Sequence, residues 1–228
     1  MRKERKEEIK YLGQLKEWIS LNREFDIIDL FAKLHPADIA DLIDNLEEQE
    51  KIHLFSLLDV EKASDVIPEL SDISREQILE EISDTKLAEI IDEMDSDDAA
   101  DVIAELTEEQ ARAVLDEIEP EESEDLKELL KYDEESAGGI MQSELVSVLE
   151  TATVRDAVNA VINISDEIEN VYNVFVVSDE DVLIGTIPLQ KLIIAKRNDA
   201  VIETIDKSIP SVMVDVDQEE VARMFEKY

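Results

Sequence analysis

A twelve-residue unit repeats from LHPADIADLIDNL (Leu34–Leu46) through MDSDDAADVIAEL (Met94–Leu106) and ends at Leu130. An apolar residue recurs at every twelfth position, namely at Leu34, Leu46, Leu58, Leu70, Ile82, Met94, Leu106, Ile118 and Leu130. Further apolar residues stand eight positions into every unit, nine positions into seven of the eight units, and five positions into five of them. Because these offsets form the i, i+3, i+4, i+7 pattern of an amphipathic helix, each unit predicts one short helix.

The residue after the repeating apolar position favours a helix start. Preferred N-cap residues stand there in five units, at Asp59, Ser71, Ser83, Asp95 and Thr107. Pro36, Pro68 and Pro120 exclude one long coiled coil. Helices this short are marginal alone and become stable when repeats stack their apolar faces. Residues 34–131 therefore predict an acidic α-solenoid, and residues 1–33 predict two lead-in helices.

The charge balance of the 228-residue chain limits its partners. Sixty acidic residues against 22 basic ones give a net charge of −38, while 44% hydrophobic content is ample for packed cores. Such a surface repels nucleic acid and anionic membranes and attracts cations or basic partners. The absence of cysteine excludes disulfides and thiolate metal sites. No apolar run approaches the roughly 18 residues of a membrane span, so we expect an intracellular chain.

The apolar pattern changes after a junction, residues 132–141, that contains Gly138 and Gly139. Alternating apolar residues then predict strands and helices in the order strand, helix, strand, strand, helix: Leu145–Leu149, Thr153–Ile164, Tyr172–Ser178, Leu183–Leu189 and Gln190–Lys196. A second copy begins with a strand at Ser211–Val214 and a helix at Gln218–Lys227. It stops at Tyr228 before its remaining strands, so we expect the chain to be a fragment.

This β-α-β-β-α order, begun twice, resembles a tandem CBS-domain pair whose second copy is cut short. Together with the acidic repeats, it resembles the cytosolic region of MgtE-type magnesium transporters over nearly the whole chain. The resemblance is carried by LHPADIADLIDNL (34–46), MDSDDAADVIAEL (94–106), YDEESAGGIM (132–141) and DVDQEEVARM (215–224). It implies a multidomain α plus α/β fold, in which a right-handed superhelical α-solenoid precedes a CBS pair. The CBS domains would span residues 142–199 and 200–228.

The resemblance also implies a function. The chain would be the magnesium-sensing region, at the cytoplasmic face of the cell membrane, of a channel that is homodimeric through its CBS domains. The transmembrane domain would lie outside this sequence. Magnesium bridging the acidic helical domain and the CBS domains would close the pore.

Carboxylates are the candidate cation ligands, and the sharpest candidate group is Asp95, Asp97, Asp98 and Asp101. Asp97 and Asp101 stand one helical turn apart on the predicted solvent face, where like charges repel and a bound cation would relieve them. From spacing alone they can equally be solvated residues near a helix N-terminus, as can Asp98. Asp65, Asp41 and Glu89 share the offset of Asp101, which predicts an acidic row along the outer face. The resemblance implies metal ligands at Asp65, Asp97, Asp101, Asp217 and Glu219.

Asp217 has a structural interpretation as well, since Asp217 and Glu220 form the pattern of a capping box. Scattered carboxylates without a calcium loop favour Mg²⁺ as the cofactor, and Mn²⁺ would fit too. Members of the family can bind ATP, but Lys191 replaces the aspartate that usually contacts the ribose, which disfavours a nucleotide here.

We find no catalytic residue set and expect no enzyme. Two alternative functions remain open: a CBS-type adenine-nucleotide sensor for another effector, and an acidic helical scaffold that binds a basic protein partner.

Overall fold

A computed structural model describes residues 4–164 and 171–227, with side chains described from Tyr11 onward. The chain forms two compact units, Met1–Lys131 and Tyr132–Tyr228. The parts of the predicted CBS domains at residues 165–170 and at Tyr228 lie outside the described residues.

The first unit is helical throughout its described part. Helices α1 (Glu4–Ser20) and α2 (Glu24–Phe31) precede the repeats. The repeat helices are α3 (Pro36–Asp44), α4 (Glu48–Ser56), α5 (Val60–Val66), α6 (Asp72–Leu79), α7 (Asp84–Ile91), α8 (Ser96–Ala104), α9 (Glu108–Glu117) and α10 (Pro120–Leu129). Their first residues are spaced twelve apart without exception, so each sequence unit forms one helix and its turn.

Most repeat helices pack mainly against a helix two positions away in the chain. One row contains α3, α5, α7 and α9, whereas contacts of α4 with α6 and of α8 with α10 form the other row. The residues eight positions into each unit are all buried: Leu42, Leu54, Val66, Ile78, Ile90, Val102, Val114 and Leu126. The predicted solenoid is therefore confirmed, with the apolar stripe as its core.

Three polar residues replace the apolar side chain at offset five, namely Lys51, Arg75 and Ser123. Lys51 and Ser123 are buried nevertheless. Lys51 Nζ donates to Ser74 Oγ at 2.7 Å, and Ser123 Oγ donates to the carbonyl of Leu115 at 2.7 Å. The Arg75 guanidinium donates to Glu105 at 2.9 Å. Because buried polar groups need partners, these bonds explain how the repeat tolerates its exceptions.

The predicted N-cap residues all stand at helix starts, but not all of them cap. The side chains of Asp59, Ser83 and Thr107 accept a hydrogen bond from the amide three residues on. Ser71 and Asp95 make no such bond, so their predicted capping role is wrong. Ser71 Oγ instead donates to Asp44 Oδ1 at 2.8 Å, which ties α6 to the end of α3.

The second unit contains the predicted order of elements, namely β1 (Ser147–Leu149), α11 (Val154–Asn163), β2 (Asn173–Val177), β3 (Leu183–Pro188) and α12 (Leu189–Ile194). The sheet order is β1-β2-β3; β1 runs parallel to β2, and β3 runs antiparallel to β2. Strand β1 is shorter than predicted because the sheet pairing begins at Ser147. The core consists of Val146, Val154, Ala157, Val174, Val176, Ile187, Leu192 and Val201.

The second copy is formed only in part. Helix α13 (Gln218–Lys227) has the predicted bounds. The predicted strand at Ser211–Val214 is wrong, since these residues are exposed and form no strand in the described structure. A strand needs a neighbouring strand for its backbone groups. Here the carbonyl of Val214 accepts from the amide of Gly138, and that of Met213 accepts from the nearby amide of Val216.

Among residues 4–164 and 171–227, no helix combines the length and apolar character needed to cross a membrane.

Candidate cation-binding carboxylates

Helix α8 carries two of the predicted ligands. Its apolar residues Ala99, Val102 and Ile103 are buried, and this fixes which face of the helix turns outward. Asp97, in the first turn, is partly buried, and Asp101, one turn later, is exposed. The two carboxylates therefore share one side of the helix, as their spacing predicts.

Asp98 is the most perturbed carboxylate near this face. Its pKa is raised from 3.8 to about 6, first by its half-buried position and then, in decreasing order, by the negative charges of Asp97, Asp95, Asp101 and Glu69. These five residues are named here the α8 acidic cluster. A half-buried carboxylate among four others disfavours its own ionised form, which a nearby cation would stabilise.

The sequence pattern groups four members of this cluster, Asp95, Asp97, Asp98 and Asp101, as one candidate, but it does not identify Glu69. Asp95 and Asp98 belong to that candidate group, but the resemblance implies metal ligands only at Asp97 and Asp101 within it. Glu69 lies in the turn after α5, far from Asp98 along the chain, and only packing of the repeats brings its charge to bear on Asp98. No spacing pattern in the sequence could have found it.

Arg75 on α6 is a fixed positive charge near the cluster. Its pKa is raised above the usual value chiefly by its hydrogen bond to Glu105, with smaller contributions from Asp72 and Asp101. Arg75 and Asp101 thus interact electrostatically, and any cation bound at Asp101 has this guanidinium as a neighbour.

Asp65 lies on α5 and is exposed. Its Oδ2 is 3.7 Å from Nζ of Lys62 on the same helix. The predicted acidic row needs correction, because Asp41, Asp65 and Glu89 lie on one row of helices while Asp101 lies on the other. The reason is that neighbouring repeats alternate between rows, so a shared offset does not place residues in one line.

Asp217 and Glu219 lie at the start of α13. Asp217 is exposed, and its Oδ1 accepts a 2.8 Å hydrogen bond from the amide of Glu219 rather than completing the expected pattern with Glu220. Glu219 Oε2 is 2.9 Å from Arg223 one turn later. Two predicted ligands, Asp65 and Glu219, therefore already pair with a basic residue of their own helix.

No three histidine, aspartate or glutamate side chains in the described part of the chain are arranged as a group that could hold a metal ion. Magnesium retains several waters and takes one or two carboxylates from a protein. The donor type at Asp97, Asp101 and Asp217 thus fits a hydrated hard cation, whereas a closed all-protein cage is not formed by the described residues.

A separate crevice of about 190 Å³ opens beside the sheet. Its lining residues are Glu144, Leu145, Val146, Val171, Tyr172, Asn173 and Phe175. The Tyr172 side chain is 74% exposed at this crevice, so its ring is available for stacking.

Lys191, the residue that disfavours a nucleotide in the sequence, acts on another carboxylate. It helps to lower the pKa of Asp206, although hydrogen bonds from Ser208 are the main cause.

Comparison with solved structures assigns the fold to the cytosolic regions of magnesium transporters. The soluble part of a magnesium transporter matches 97% of this chain and 87% of its own, with a TM-score of 0.78 and 29% identity. The cytosolic domain of the Mg²⁺ channel MgtE, solved in complex with ATP, matches 95% of this chain and 89% of its own, with a TM-score of 0.85 and 28% identity.

Sequence comparison finds a similarity in the first unit and the junction. The family model of the MgtE intracellular N domain matches residues 34–135. The magnesium transporter MgtE of Enterococcus faecalis is 38% identical over 104 residues, which are 46% of this chain and 23% of that protein. The Thermus thermophilus protein is 34% identical over 104 residues, with the same coverage. The fold of the chain is thus similar to that of the cytosolic domain of MgtE, and residues 34–135 match the model of the MgtE intracellular N domain.

The matched segment spans about a quarter of these curated relatives, 23% of each.

Proposed function

We propose that this chain is the magnesium-sensing regulatory region of an MgtE-type magnesium transporter. The observation that carries the proposal is the α8 acidic cluster, in which a half-buried Asp98 is crowded by Asp95, Asp97, Asp101 and Glu69. Crowded carboxylates of this kind are stabilised by a divalent cation more than by a monovalent one. The proposal is supported by the fold similarity to cytosolic regions of magnesium transporters.

The proposed mechanism uses repulsion and its relief. At low magnesium, the carboxylates of the two units repel and favour a separated state. Hydrated Mg²⁺ bound by Asp65, Asp97 and Asp101 together with Asp217 and Glu219 favours a state in which the units are close. The ligand shifts the equilibrium only by its differential affinity for the two states. In the complete protein, dimeric through its CBS domains, this shift would close a transmembrane pore.

Internal ion pairs would make each site weak. Lys62 lies near Asp65 and Arg223 near Glu219, so these two carboxylates exchange an exposed ion pair for a cation when magnesium binds. Exposed pairs contribute about 0–1 kcal/mol, so the competition is modest. Several weak sites that act on one equilibrium would produce a steep response to magnesium.

The test is small-angle scattering of this chain in EDTA and in millimolar magnesium, at an ionic strength matched with sodium. We expect a smaller radius of gyration in magnesium alone. Asp97→Asn/Asp101→Asn should abolish the change. The matched control is Asp41→Asn/Glu89→Gln, which removes the same charge from exposed positions of the same unit and should retain the change. Equal radii in magnesium and sodium, or equal effects of both double variants, would refute bridging at α8.

A basic protein partner is the alternative to a metal ligand at this surface. It predicts that affinity falls with any salt and shows no preference for divalent ions. The scattering comparison at matched ionic strength separates it from the magnesium proposal.

Nucleotide binding is a second candidate function, favoured by the crevice at Tyr172. One similar structure is a complex with ATP. In this chain, a planar ring that enters the crevice could stack on the exposed Tyr172 side chain. We expect ATP to raise the melting temperature and Tyr172→Ala to remove the increase. Failure of ATP to raise it in the unsubstituted protein would support the argument from Lys191 against a nucleotide.

A further inference from the structure

The junction, residues 132–141, pairs by backbone hydrogen bonds with the segment that leads into α13. Three bonds join them: Ala137 N to the Val216 carbonyl (2.6 Å), Gly138 N to the Val214 carbonyl (2.8 Å) and Gln218 N to the Glu135 carbonyl (2.8 Å). Ser136 and Asp217 face each other as an antiparallel bridge at the centre. Because donors come from both sides, each segment satisfies backbone groups of the other.

The junction is itself a tightly bonded turn. Ser136 is buried, and its Oγ donates to the carbonyl of Asp133 at 2.7 Å. The amide of Gly139 donates to the Ser136 carbonyl at 3.1 Å. A turn with these internal bonds can serve as a fixed support for the segment that it pairs with.

The two glycines permit this close packing. A Cβ added at Gly139 would collide with the carbonyl oxygen of Asp133 and lie 2.8 Å from the Cα of Glu134. A Cβ added at Gly138 would lie 2.5 Å from Cγ of Tyr132. Since the obstacle at Gly139 is backbone, a side chain there would force the turn apart.

The supported segment carries both cation ligands proposed for the second unit. Asp217 stands opposite Ser136, and the amide of Gln218, the first residue of α13, is held by Glu135. The Asp217 side chain accepts from the amide of Glu219, so the junction holds the backbone from which both carboxylates project.

We propose that the junction is a clasp that holds the loop of residues 214–217, and with it the start of α13, in a geometry suited to cation binding. Residues 135–138 are then positioning residues for Asp217 and Glu219. The consequence for magnesium rests on the proposed function. The claim that the junction holds the loop does not rest on the proposed function, and it can be tested without metal.

The sharpest variant is Gln218→Pro. It removes the N–H that donates to Glu135, while proline is well tolerated at the first position of a helix, where this chain already has Pro36 and Pro120. The matched control is Glu108→Pro at the first position of α9. A second pair of variants is Gly139→Ala and Gly13→Ala, since a Cβ at Gly13 meets nothing within 4 Å.

The measurement is hydrogen exchange by mass spectrometry on the full chain, first in EDTA. We expect Gln218→Pro and Gly139→Ala to speed exchange at residues 136–139 and 214–217 about fivefold, the loss of one typical hydrogen bond. Peptides from β2 and β3 should be unchanged, and both controls should match the unsubstituted protein. Unchanged exchange at residues 136–139 and 214–217 in both variants would overturn the clasp.

The second arm measures magnesium-dependent protection of the first turn of α13. We expect the two clasp variants to need several-fold more magnesium for half-protection, with protection at α8 unchanged. A loosened loop with an unaltered magnesium requirement would overturn the positioning role. If magnesium protects neither α8 nor α13 in the unsubstituted protein, the proposed function fails and so does the positioning role for cations. The EDTA arm still decides whether the junction holds the loop.

Discussion

Lys51 on α4 donates a 2.7 Å hydrogen bond from Nζ to Oγ of Ser74 on α6, and both side chains are buried. Gln77 Oε1 accepts a second bond from the same ammonium at 3.3 Å. A buried ammonium with neutral partners is held by hydrogen bonds rather than by an ion pair, so the bonds must be kept once the charge is inside. This pair links two helices of one row.

We predict that Lys51→Ala lowers the free energy of unfolding by about 2–4 kcal/mol, because it leaves a cavity and removes the donor to Ser74. The double variant Lys51→Met/Ser74→Ala should lie within about 1 kcal/mol of the unsubstituted protein, since both polar groups are replaced by apolar ones. Urea unfolding of Lys51→Met, Ser74→Ala and the double variant measures the coupling between the two side chains. Strictly additive losses would show that the bond contributes nothing specific.

Asp98 should make stability depend on pH. Its folded pKa of about 6 lies above the ordinary 3.8, so the folded state resists ionisation and loses stability as pH rises through this interval. After allowance for solvent screening of a half-buried group, Asp98→Asn should raise the free energy of unfolding by about 1 kcal/mol at pH 7.5 and about half as much at pH 5.

The control for Asp98→Asn is Glu124→Gln on the exposed face of α10, which should have little effect at either pH. Thermal unfolding at both pH values is the measurement. A titration of the Asp98 carboxyl followed by NMR should have its midpoint near 6 without metal and lower in magnesium. A gain that is equal at both pH values would contradict the pKa assignment.

Arg223 should compete with magnesium for Glu219. Arg223→Gln frees the carboxylate 2.9 Å away, and we expect magnesium to bind the second unit about two- to threefold more tightly, in line with a pair worth under about 1 kcal/mol. The control Arg112→Gln breaks a comparable i, i+4 pair with Asp116 and makes the same charge change. Isothermal titration gives both affinities; equal gains in both variants would trace the effect to net charge alone.

Gly185 on β3 permits another close approach. A Cβ there would lie 2.6 Å from the carbonyl oxygen of Asp206. Asp206 and Thr186 are joined by two backbone hydrogen bonds, one of 3.0 Å from the Thr186 amide and one of 2.7 Å from the Asp206 amide. Gly185→Ala should destabilise the second unit by about 2–3 kcal/mol through this clash and the lost pairing. Hydrogen exchange should rise in β2 and β3, while fluorescence of Trp18, the single tryptophan, should report unchanged unfolding of the first unit. Equal destabilisation of both units would contradict the prediction.

The sequence by itself determined the helical repeat and the element order of the second unit. The twelve-residue period is a local property, since apolar spacing within a unit defines a helix whatever surrounds it. The same holds for Thr153 and Asp156, three residues apart in the sequence, which form a capping box at the start of α11. Local hydrogen bonds of this kind need no knowledge of distant residues.

Only the tertiary structure decided which carboxylates act on one another. Repeats that are adjacent in sequence fall into different rows, so Asp65 and Asp101 do not lie in one line despite their shared offset. Packing brings the charge of Glu69 to bear on Asp98, and it replaces the expected strand at Ser211–Val214 with bonds to the junction. These three outcomes have one physical reason. Burial and backbone pairing between distant segments depend on how the elements pack, and residue spacing along the chain does not encode that packing.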